Sequence, residues 1–196
     1  RMNIITKLTP LFILALPACS DVEKDGSGGH HHDHEVISTV VLNLTSQADG
    51  TEQEIRWVEG EGQDQDVVLT NATAYDLSIS ALNELETPIE DITPEIADEA
   101  DEHQLFFTGS AIDDGLITHT YEDSYCEGLP LGLENTVDAV AAGVGELTVT
   151  LRHLAQQNGN KVKREGMAED VAAEGFSGIS GEGDDDFSID FVIEIQ

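Results

Sequence analysis

From Val36 to the end of the chain, apolar and polar side chains alternate in short segments, and this alternation most constrains the fold. Successive side chains of a β-strand point to opposite faces, so a period of two gathers the apolar residues on one buried face. The alternation predicts strands at residues 36–45, 55–57, 67–69, 75–81, 105–108, 116–121, 146–153 and 187–195. About eight short strands separated by Gly, Asp and Asn turns predict an all-β fold, an antiparallel immunoglobulin-like β-sandwich spanning residues 36–196.

One segment departs from this alternation and predicts a short helix inserted between strands. Residues 93–103 begin with Thr93 as a candidate N-cap and Pro94 at the first helical position. Ile96, Ala100 and His103 fall on one face at helical spacing. That face is expected to point inward, with acidic residues on the other side facing water.

The first residues predict export and lipid attachment. Arg1 and Lys7 flank a short apolar run that ends in Leu16-Pro17-Ala18-Cys19. This is typical of a secretory signal and shorter than the roughly 20 apolar residues of a membrane span. The last four residues resemble the lipobox of bacterial lipoproteins, so residues 1–18 are predicted to be a lipoprotein signal peptide and Cys19 the acylated residue. In that family, an aspartate directly after the cysteine favours retention in the inner membrane. Here Ser20 follows the cysteine, so the resemblance implies that the protein is sent to the outer membrane. The alternative is an ordinary signal peptide that releases a soluble protein.

Residues 19–35 are predicted to be a flexible tether that carries a histidine cluster. The run Gly26-Ser27-Gly28-Gly29 is typical of a flexible spacer. Imidazole and carboxylate groups are ligands that zinc prefers. The candidate zinc ligands of this tether are His30, His31, His32, Asp33, His34 and Glu35. The alternative interpretation is a solvated polar leader that binds metal only incidentally.

The formal net charge of −32, with 40 acidic residues against 8 basic ones, limits the classes of partner. Like charges repel, so neither nucleic acid nor an anionic lipid surface is expected as a natural partner. Cations are the natural counterpart of such a chain. An alternative explanation for most of the charge is adaptation to saline water, in which an acidic surface stays hydrated.

Three histidines of the sandwich domain are predicted to point toward its interior. His103 lies on the inward face of the predicted helix, while His119 and His153 lie on the apolar faces of predicted strands. Glu99 precedes His103 by one helical turn, so the two side chains can share an ion or a hydrogen bond. The three histidines with Glu99 as a fourth ligand would complete one zinc site, if they meet. The alternative for each histidine is a hydrogen-bonded core residue.

Calcium is the alternative metal, because acidic runs at residues 64–66, 113–115 and 183–186 offer the hard oxygens it prefers. Residues 155–186 are predicted to be a long loop with at most one short helix, at residues 167–173. The sequence contains no Gly-x-Ser-x-Gly elbow, no His-Glu-x-x-His pair and no phosphate loop. The chain is therefore predicted not to be an enzyme.

Motifs spread along most of the mature chain carry a resemblance to a known family. They are Gly29-His30-His31-His32-Asp33-His34-Glu35, Leu82-Asn83-Glu84, Ile92-Thr93-Pro94-Glu95-Ile96, Asp101-Glu102-His103-Gln104-Leu105-Phe106-Phe107, Gly128-Leu129-Pro130-Leu131-Gly132-Leu133 and Leu147-Thr148-Val149-Thr150-Leu151-Arg152-His153. Together they resemble acidic, histidine-rich bacterial outer-membrane lipoproteins often labelled "type 1 periplasmic binding fold superfamily protein". The resemblance implies partnership with TonB-dependent receptors and a part in the uptake of zinc or another metal. The family label implies an α/β binding-protein fold, whereas the alternation predicts a sandwich.

The resulting hypothesis is a lipid-anchored, non-enzymatic, zinc-binding protein of the outer membrane that assists metal capture or hand-over to a receptor. The alternative is a structural or adhesive surface module whose acidic loops bind calcium. The two differ in ligand chemistry. Histidine sites lose metal as the pH falls toward about 6, whereas carboxylate sites hold calcium to lower pH.

Overall fold

A computed structural model describes residues 36–196, which form two β-sheets packed face to face. Strands account for 47% of the structure and helices for 16%, so the predicted all-β sandwich is confirmed.

Strands dominate the chain order, and the helices are short. The strands are β1 (Thr39–Ser46), β2 (Glu52–Val58), β3 (Gly62–Gln63), β4 (Val67–Leu69), β5 (Thr73–Asn83), β6 (Glu90–Asp91), β7 (His103–Thr108), β8 (Ile117–Tyr121), β9 (Glu134–Ala139), β10 (Gly143–His153) and β11 (Asp184–Ile195). The helices are α1 (Thr93–Asp98), α2 (Ser110–Asp113) and α3 (Met167–Glu174), with single 3-10 turns at Cys126–Gly128 and Gly175–Ile179.

The larger sheet has the strand order β3-β2-β1-β5-β9-β8, with β6 paired to β5, and the smaller sheet has the order β4-β11-β10-β7. The pairings are antiparallel except that between β4 and β11. This parallel pair departs from the purely antiparallel sandwich that the sequence predicts. The chain reaches β4 from the larger sheet and not through a hairpin from β11, so no connection forces the two strands to run antiparallel.

The alternating residues of both sheets meet in one apolar core between the sheets. Leu42 and Leu44 of β1 and Phe191 and Ile193 of β11 belong to it, and each is at most 3% exposed. These are positions at which the alternation predicts inward side chains. Val36, which continues the same pattern on paper, is 51% exposed because β1 begins only at Thr39.

Three of the strands found were not predicted, and β9 is the longest of them. Its inward positions are Asn135, Val137 and Ala139, of which only Val137 is a large aliphatic residue. Asn135 is 2% exposed because its side-chain amide donates a hydrogen bond of 2.7 Å to the Gly132 carbonyl. Because one of the three inward positions is polar, the alternation of apolar and polar residues that marks a strand is not visible in this segment. The other two, β3 and β6, are two residues long, too short for any period to show.

A helix is present within residues 93–103, as predicted, but its N-cap and its last residue differ from the prediction. α1 ends at Asp98, and its N-cap is Ile92. Thr93 is not the cap, because its hydroxyl accepts a hydrogen bond of 3.0 Å from the Ala81 amide and so attaches the helix to β5. His103 begins β7 and does not lie on the helix. Its side chain is nevertheless buried, as predicted. The prediction placed it on the inward face of a helix, whereas the structure places it on the inward face of a strand.

Residues 154–183, which we call the flap, connect β10 to β11 and pack against the outer face of the smaller sheet at β7. The predicted short helix is present as α3, which ends one residue later than expected. A small second core holds the flap down, and its buried members are Phe106, Leu154, Met167, Val171 and Ile179. The flap is therefore an ordered layer, where the sequence predicts a long loop.

One end of the sandwich, which we call the α1 end, collects the chain segments that carry the candidate ligands. There β1 begins beside the end of β5, with Thr39 opposite Leu82. β7 begins beside the end of β10, with His103 opposite His153. α1 follows β6, which pairs with β5, and leads into β7, so it spans from the larger sheet to the smaller one at this end.

Candidate metal centre

Two histidines lie side by side at the α1 end of the smaller sheet. His103 is the first residue of β7 and His153 the last of β10, and the antiparallel register pairs them directly. Both follow the alternation of the core residues Leu105 and Leu151, so their side chains lie on the face that meets the other sheet. The two rings stack, with centroids 4.6 Å apart and an interplanar angle of 20°.

A bulge in the neighbouring strand brings a carboxylate to this pair. The register between β10 and β11 shifts between Leu151 and Arg152, and Asp186 is the extra residue on β11. An extra residue bends its strand and re-aims a side chain relative to the regular ladder. Oδ2 of Asp186 lies 3.5 Å from Nε2 of His103, and the Asp186 side chain is only 10% exposed.

His103, His153 and Asp186, which we call the cluster, present converging donor atoms. One ring nitrogen from each histidine and one oxygen of Asp186 all lie within 4.8 Å of one another. Two ligands on one tetrahedral zinc ion are about 3.4 Å apart when each bond is about 2.1 Å, so binding requires a contraction of at most about 1.4 Å. The His103 side chain is 1% exposed and that of His153 13%, so the cluster lies just beneath the rim of the sandwich.

Two glutamates approach the cluster from the side of α1. Oε2 of Glu102 lies 3.6 Å from Nε2 of His153, and Oε2 of Glu99 lies 3.9 Å from Nδ1 of His103. The Glu102 side chain is 22% exposed and that of Glu99 48% exposed. Glu102 is therefore the better placed fourth ligand, while Glu99 is the more accessible to an arriving ion.

A buried lysine of the flap contacts the backbone of the cluster. Lys163 is 5% exposed, and its Nζ donates hydrogen bonds of 2.7 Å to the carbonyl oxygens of both Ala100 and His103. Burial lowers the pKa of Lys163 to about 8, although nearby carboxylates oppose this shift. The ammonium group fixes the chain segment that carries His103, and the carboxylates that act on it are Asp123 and Asp101.

Two imidazoles with one or two carboxylates form a donor set for a borderline divalent cation such as zinc. The histidines must be neutral to bind, so protons compete with the metal and binding weakens in acid. Calcium prefers six or more oxygen ligands and fits this set poorly. Within residues 36–196, the acidic runs at residues 64–66 and 113–115 form no comparable group of three converging ligands.

The structure does not bring His119 to the cluster. Its ring stacks on Phe107 with centroids 3.9 Å apart, and its Nε2 lies 2.9 Å from Oδ1 of Asn135. Phe107 is four residues from His103 along β7, or about 13 Å at about 3.3 Å per residue. Burial lowers the pKa of His119 and favours the neutral ring. His119 is a hydrogen-bonded residue of the sandwich interior, as the alternative interpretation has it.

The other candidate residues lie outside the part of the chain that the structure describes. These are Cys19 with the predicted signal peptide, and the tether residues His30, His31, His32, Asp33, His34 and Glu35. Among the helices of residues 36–196, none is long and apolar enough to cross a membrane.

Glu102 was not predicted as a ligand, and Asp186 was predicted only as part of a candidate calcium run, not as a zinc ligand. Asp186 belongs to an acidic run that the sequence predicts to be a turn or a calcium loop. Only the bulge distinguishes it from Asp184 and Asp185, because it leaves Asp186 as the extra residue of the strand. One feature of the sequence could have pointed to Asp186: it directly precedes Phe187, the first residue of the apolar alternation of β11. Glu102 was expected to face water, because residues 93–103 were predicted to be one continuous helix.

No protein-family model, no curated protein and no solved structure matches the chain. The resemblance to outer-membrane lipoproteins therefore stays a prediction from the motifs.

Proposed function

We propose that the chain is a zinc-binding protein whose structured site is the cluster of His103, His153 and Asp186, with Glu102 as fourth ligand. The observation that carries this proposal is the convergence of two imidazole nitrogens and a carboxylate oxygen within 4.8 Å. Three different strands supply these groups, so the rigid sheet positions them without help from a mobile loop. The role is binding and hand-over of a metal ion and not catalysis.

The charge and the chain connection support a role in metal capture. A net charge of −32 raises the local concentration of cations around the protein. The described chain begins at Val36, just before β1, and β1 begins at the α1 end where the cluster lies. The histidines at positions 30, 31, 32 and 34 therefore join the domain at the same end as the cluster. In the proposed role, these histidines collect zinc and the cluster holds it.

Anchoring and partnership complete the proposal. Acylation of Cys19 would hold the domain at the outer membrane, and two acyl chains are needed for stable attachment. A TonB-dependent receptor is the proposed recipient of the metal. In a fractionation experiment, a Cys19→Ala chain should move from the membrane to the soluble fraction. Equal membrane retention of variant and parent would refute the anchor.

Calorimetric titration with zinc tests the structured site. In a chain lacking residues 29–35, one zinc equivalent should bind, and His103→Gln or His153→Gln should abolish it. His119→Gln is the matched control, because that histidine lies outside the cluster and is likewise turned toward the interior, where it is partly buried. Equal zinc binding by the control and the two cluster variants would refute the site. The full chain should bind at least one further equivalent through the deleted residues.

A parallel titration with calcium distinguishes the alternative module. Zinc binding to imidazole should weaken as the pH is lowered from 7.5 to about 6, the region in which histidine protonates. Calcium held by carboxylates would persist across this range. Saturable calcium binding that is insensitive to His103→Gln would favour the structural or adhesive module.

A further inference from the structure

The flap is attached to the domain at a neck, and the cluster lies at that neck. His153 directly precedes the first flap residue, Leu154, and Asp186 follows the last, Gly183, by three positions. The third member, His103, carries the carbonyl that receives the hydrogen bond from Lys163 of the flap. Each residue of the cluster is therefore within a few covalent or hydrogen bonds of the flap.

The two ends of the flap touch each other, so the neck is narrow. Gly183 has φ of +77°, and a Cβ added there would lie 2.2 Å from the carbonyl oxygen of His153. Only glycine allows this approach, because any side chain would overlap the backbone of the opposite strand. We therefore expect movement of the flap about its neck to change the distance between His153 and the segment that leads to Asp186.

The remaining attachments of the flap are few for its length. Its second core contains five buried side chains, far fewer than the core between the sheets. Arg152 holds the returning strand, donating hydrogen bonds to the carbonyl oxygens of Glu182 at 2.7 Å and Gly183 at 2.9 Å. Lys163 provides the polar attachment to the segment before β7. A segment with few buried contacts is the part of a fold that opens most readily.

We propose that metal binding at the cluster holds the flap closed, so that the metal-free protein opens the flap more readily than the metal-bound protein. The inference rests on the proposed zinc site. The ends of β7, β10 and β11 are already paired at the neck, and an ion that bonds to His103, His153 and Asp186 adds bonds across these ends and opposes their fraying. Because coupling between two equilibria is reciprocal, zinc lowers the opening constant of the flap by the same factor by which opening of the flap lowers the affinity for zinc.

Opening would uncover a surface that differs from the acidic exterior. Phe106, on the outer face of β7, is 1% exposed beneath the flap. Between the flap and the body of the domain lies a cavity of about 280 Å³, with Gln104 and Tyr121 on the body side and residues 164–169 on the flap side. Metal release would therefore expose apolar area at a place fixed by the fold, which distinguishes the loaded protein from the empty one.

Hydrogen exchange measured by mass spectrometry on the full chain tests the coupling. With saturating zinc, exchange in peptides covering residues 160–182 should slow by about fivefold or more relative to the chelator-treated protein. Peptides from β1 and β5 report on the larger sheet and should not change. Calorimetry on the same samples and on the His103→Gln variant of the full chain separates zinc bound at the cluster from zinc bound by residues 29–35, so the two proposals are distinguished. Zinc uptake at the cluster with unchanged flap exchange would overturn the coupling and leave the zinc site standing, whereas no zinc uptake at the cluster would overturn both.

Two matched pairs of variants sharpen the test. Asp186→Asn keeps the shape of the side chain and removes the ligand charge, so zinc should no longer protect the flap. Asp184→Asn makes the same change at an exposed position of the same strand and should keep the protection.

Lys163→Met loosens the flap without removing a ligand. We expect the open flap to be the major metal-free state of this variant, which should then bind zinc several-fold more weakly. Its control is Lys161→Met, two residues away, whose ion pair with Glu127 at 3.1 Å also reaches the body but is exposed and therefore stabilises little. Faster flap exchange in the metal-free Lys163 variant together with a zinc affinity equal to that of the control would contradict the coupling.

Discussion

Single residues of this protein show how the neighbouring side chains decide the chemistry of an inward histidine. His103 and His119 are both turned toward the interior, yet one meets a second histidine and a carboxylate while the other meets Phe107 and Asn135. The Phe107 ring and the Asn135 amide add neither a second imidazole nor a carboxylate beside His119, whereas His153 and Asp186 supply both beside His103. The same residue type is therefore a candidate ligand in one place and a packing residue in the other.

His119 should make the protein less stable in acid. Its pKa is lowered by burial, so between that value and the ordinary value near 6.5 the unfolded chain binds more protons than the folded one. Stability contributed by the neutral ring is present above pH 6.5 and is lost as the pH falls through the lowered pKa. His119→Gln retains a donor for Asn135 and cannot titrate. Urea unfolding with a chelator present should show the stability of the parent falling relative to the variant between pH 7.5 and 5. Parallel curves would contradict this.

At this scale the inward positions of the two histidines could be predicted, but neither their meeting nor their carboxylate partner could. The inward positions of His103 and His153 follow from alternation and spacing in the sequence. The choice of Asp186 depends on a single bulge, which the sequence of an acidic run does not mark. The ligands meet because β7, β10 and β11 are neighbours in one sheet. The order in which short strands of similar composition pair cannot be deduced from their sequences, so this proximity could not be predicted either.

At the scale of elements, the regular strands follow the sequence and the exceptions have physical causes. Strands with four or five inward apolar residues, such as β5 and β11, were predicted because burial of one face fixes their register. β9 was missed because Asn135 occupies an inward position and is satisfied by a hydrogen bond. The end of α1 was missed because Ala100 and His103 keep a helical spacing after the helix has ended.

The neck of the flap should tolerate no side chain at its glycine. Gly183→Ala adds a Cβ that would lie 2.2 Å from the His153 carbonyl oxygen, at a φ of +77°. Gly181→Ala is the matched control, with φ of +79° and no atom within 4 Å of the added Cβ. The left-handed conformation alone costs about 1–2 kcal/mol. We expect the control to lose about that much free energy of unfolding and Gly183→Ala to lose at least about 1 kcal/mol more. Equal losses in urea unfolding would show that the two strands do not approach as closely as described.

At the scale of the whole molecule, charge opposes the compact state. A net charge of −32 on a chain of 196 residues concentrates like charges when the chain folds. The Debye length falls from about 30 Å at 0.01 M salt to about 3 Å at 1 M, so salt screens this repulsion. With a chelator present, the thermal midpoint should rise by several degrees between 10 mM and 1 M sodium chloride. A midpoint that is flat or falls over this range would show that the acidic surface does not limit stability.

The central claim is that two histidine rings of the cluster coordinate zinc, and X-ray absorption at the zinc edge tests it most directly. The sample is a chain that lacks residues 29–35, loaded with one equivalent of zinc. The spectrum should show imidazole scattering from two rings, with nitrogen ligands at about 2.0–2.1 Å. His103→Gln and His153→Gln should each abolish zinc binding and with it the imidazole signal. Bound zinc without imidazole scattering, or a spectrum unchanged by both substitutions, would contradict the proposed site.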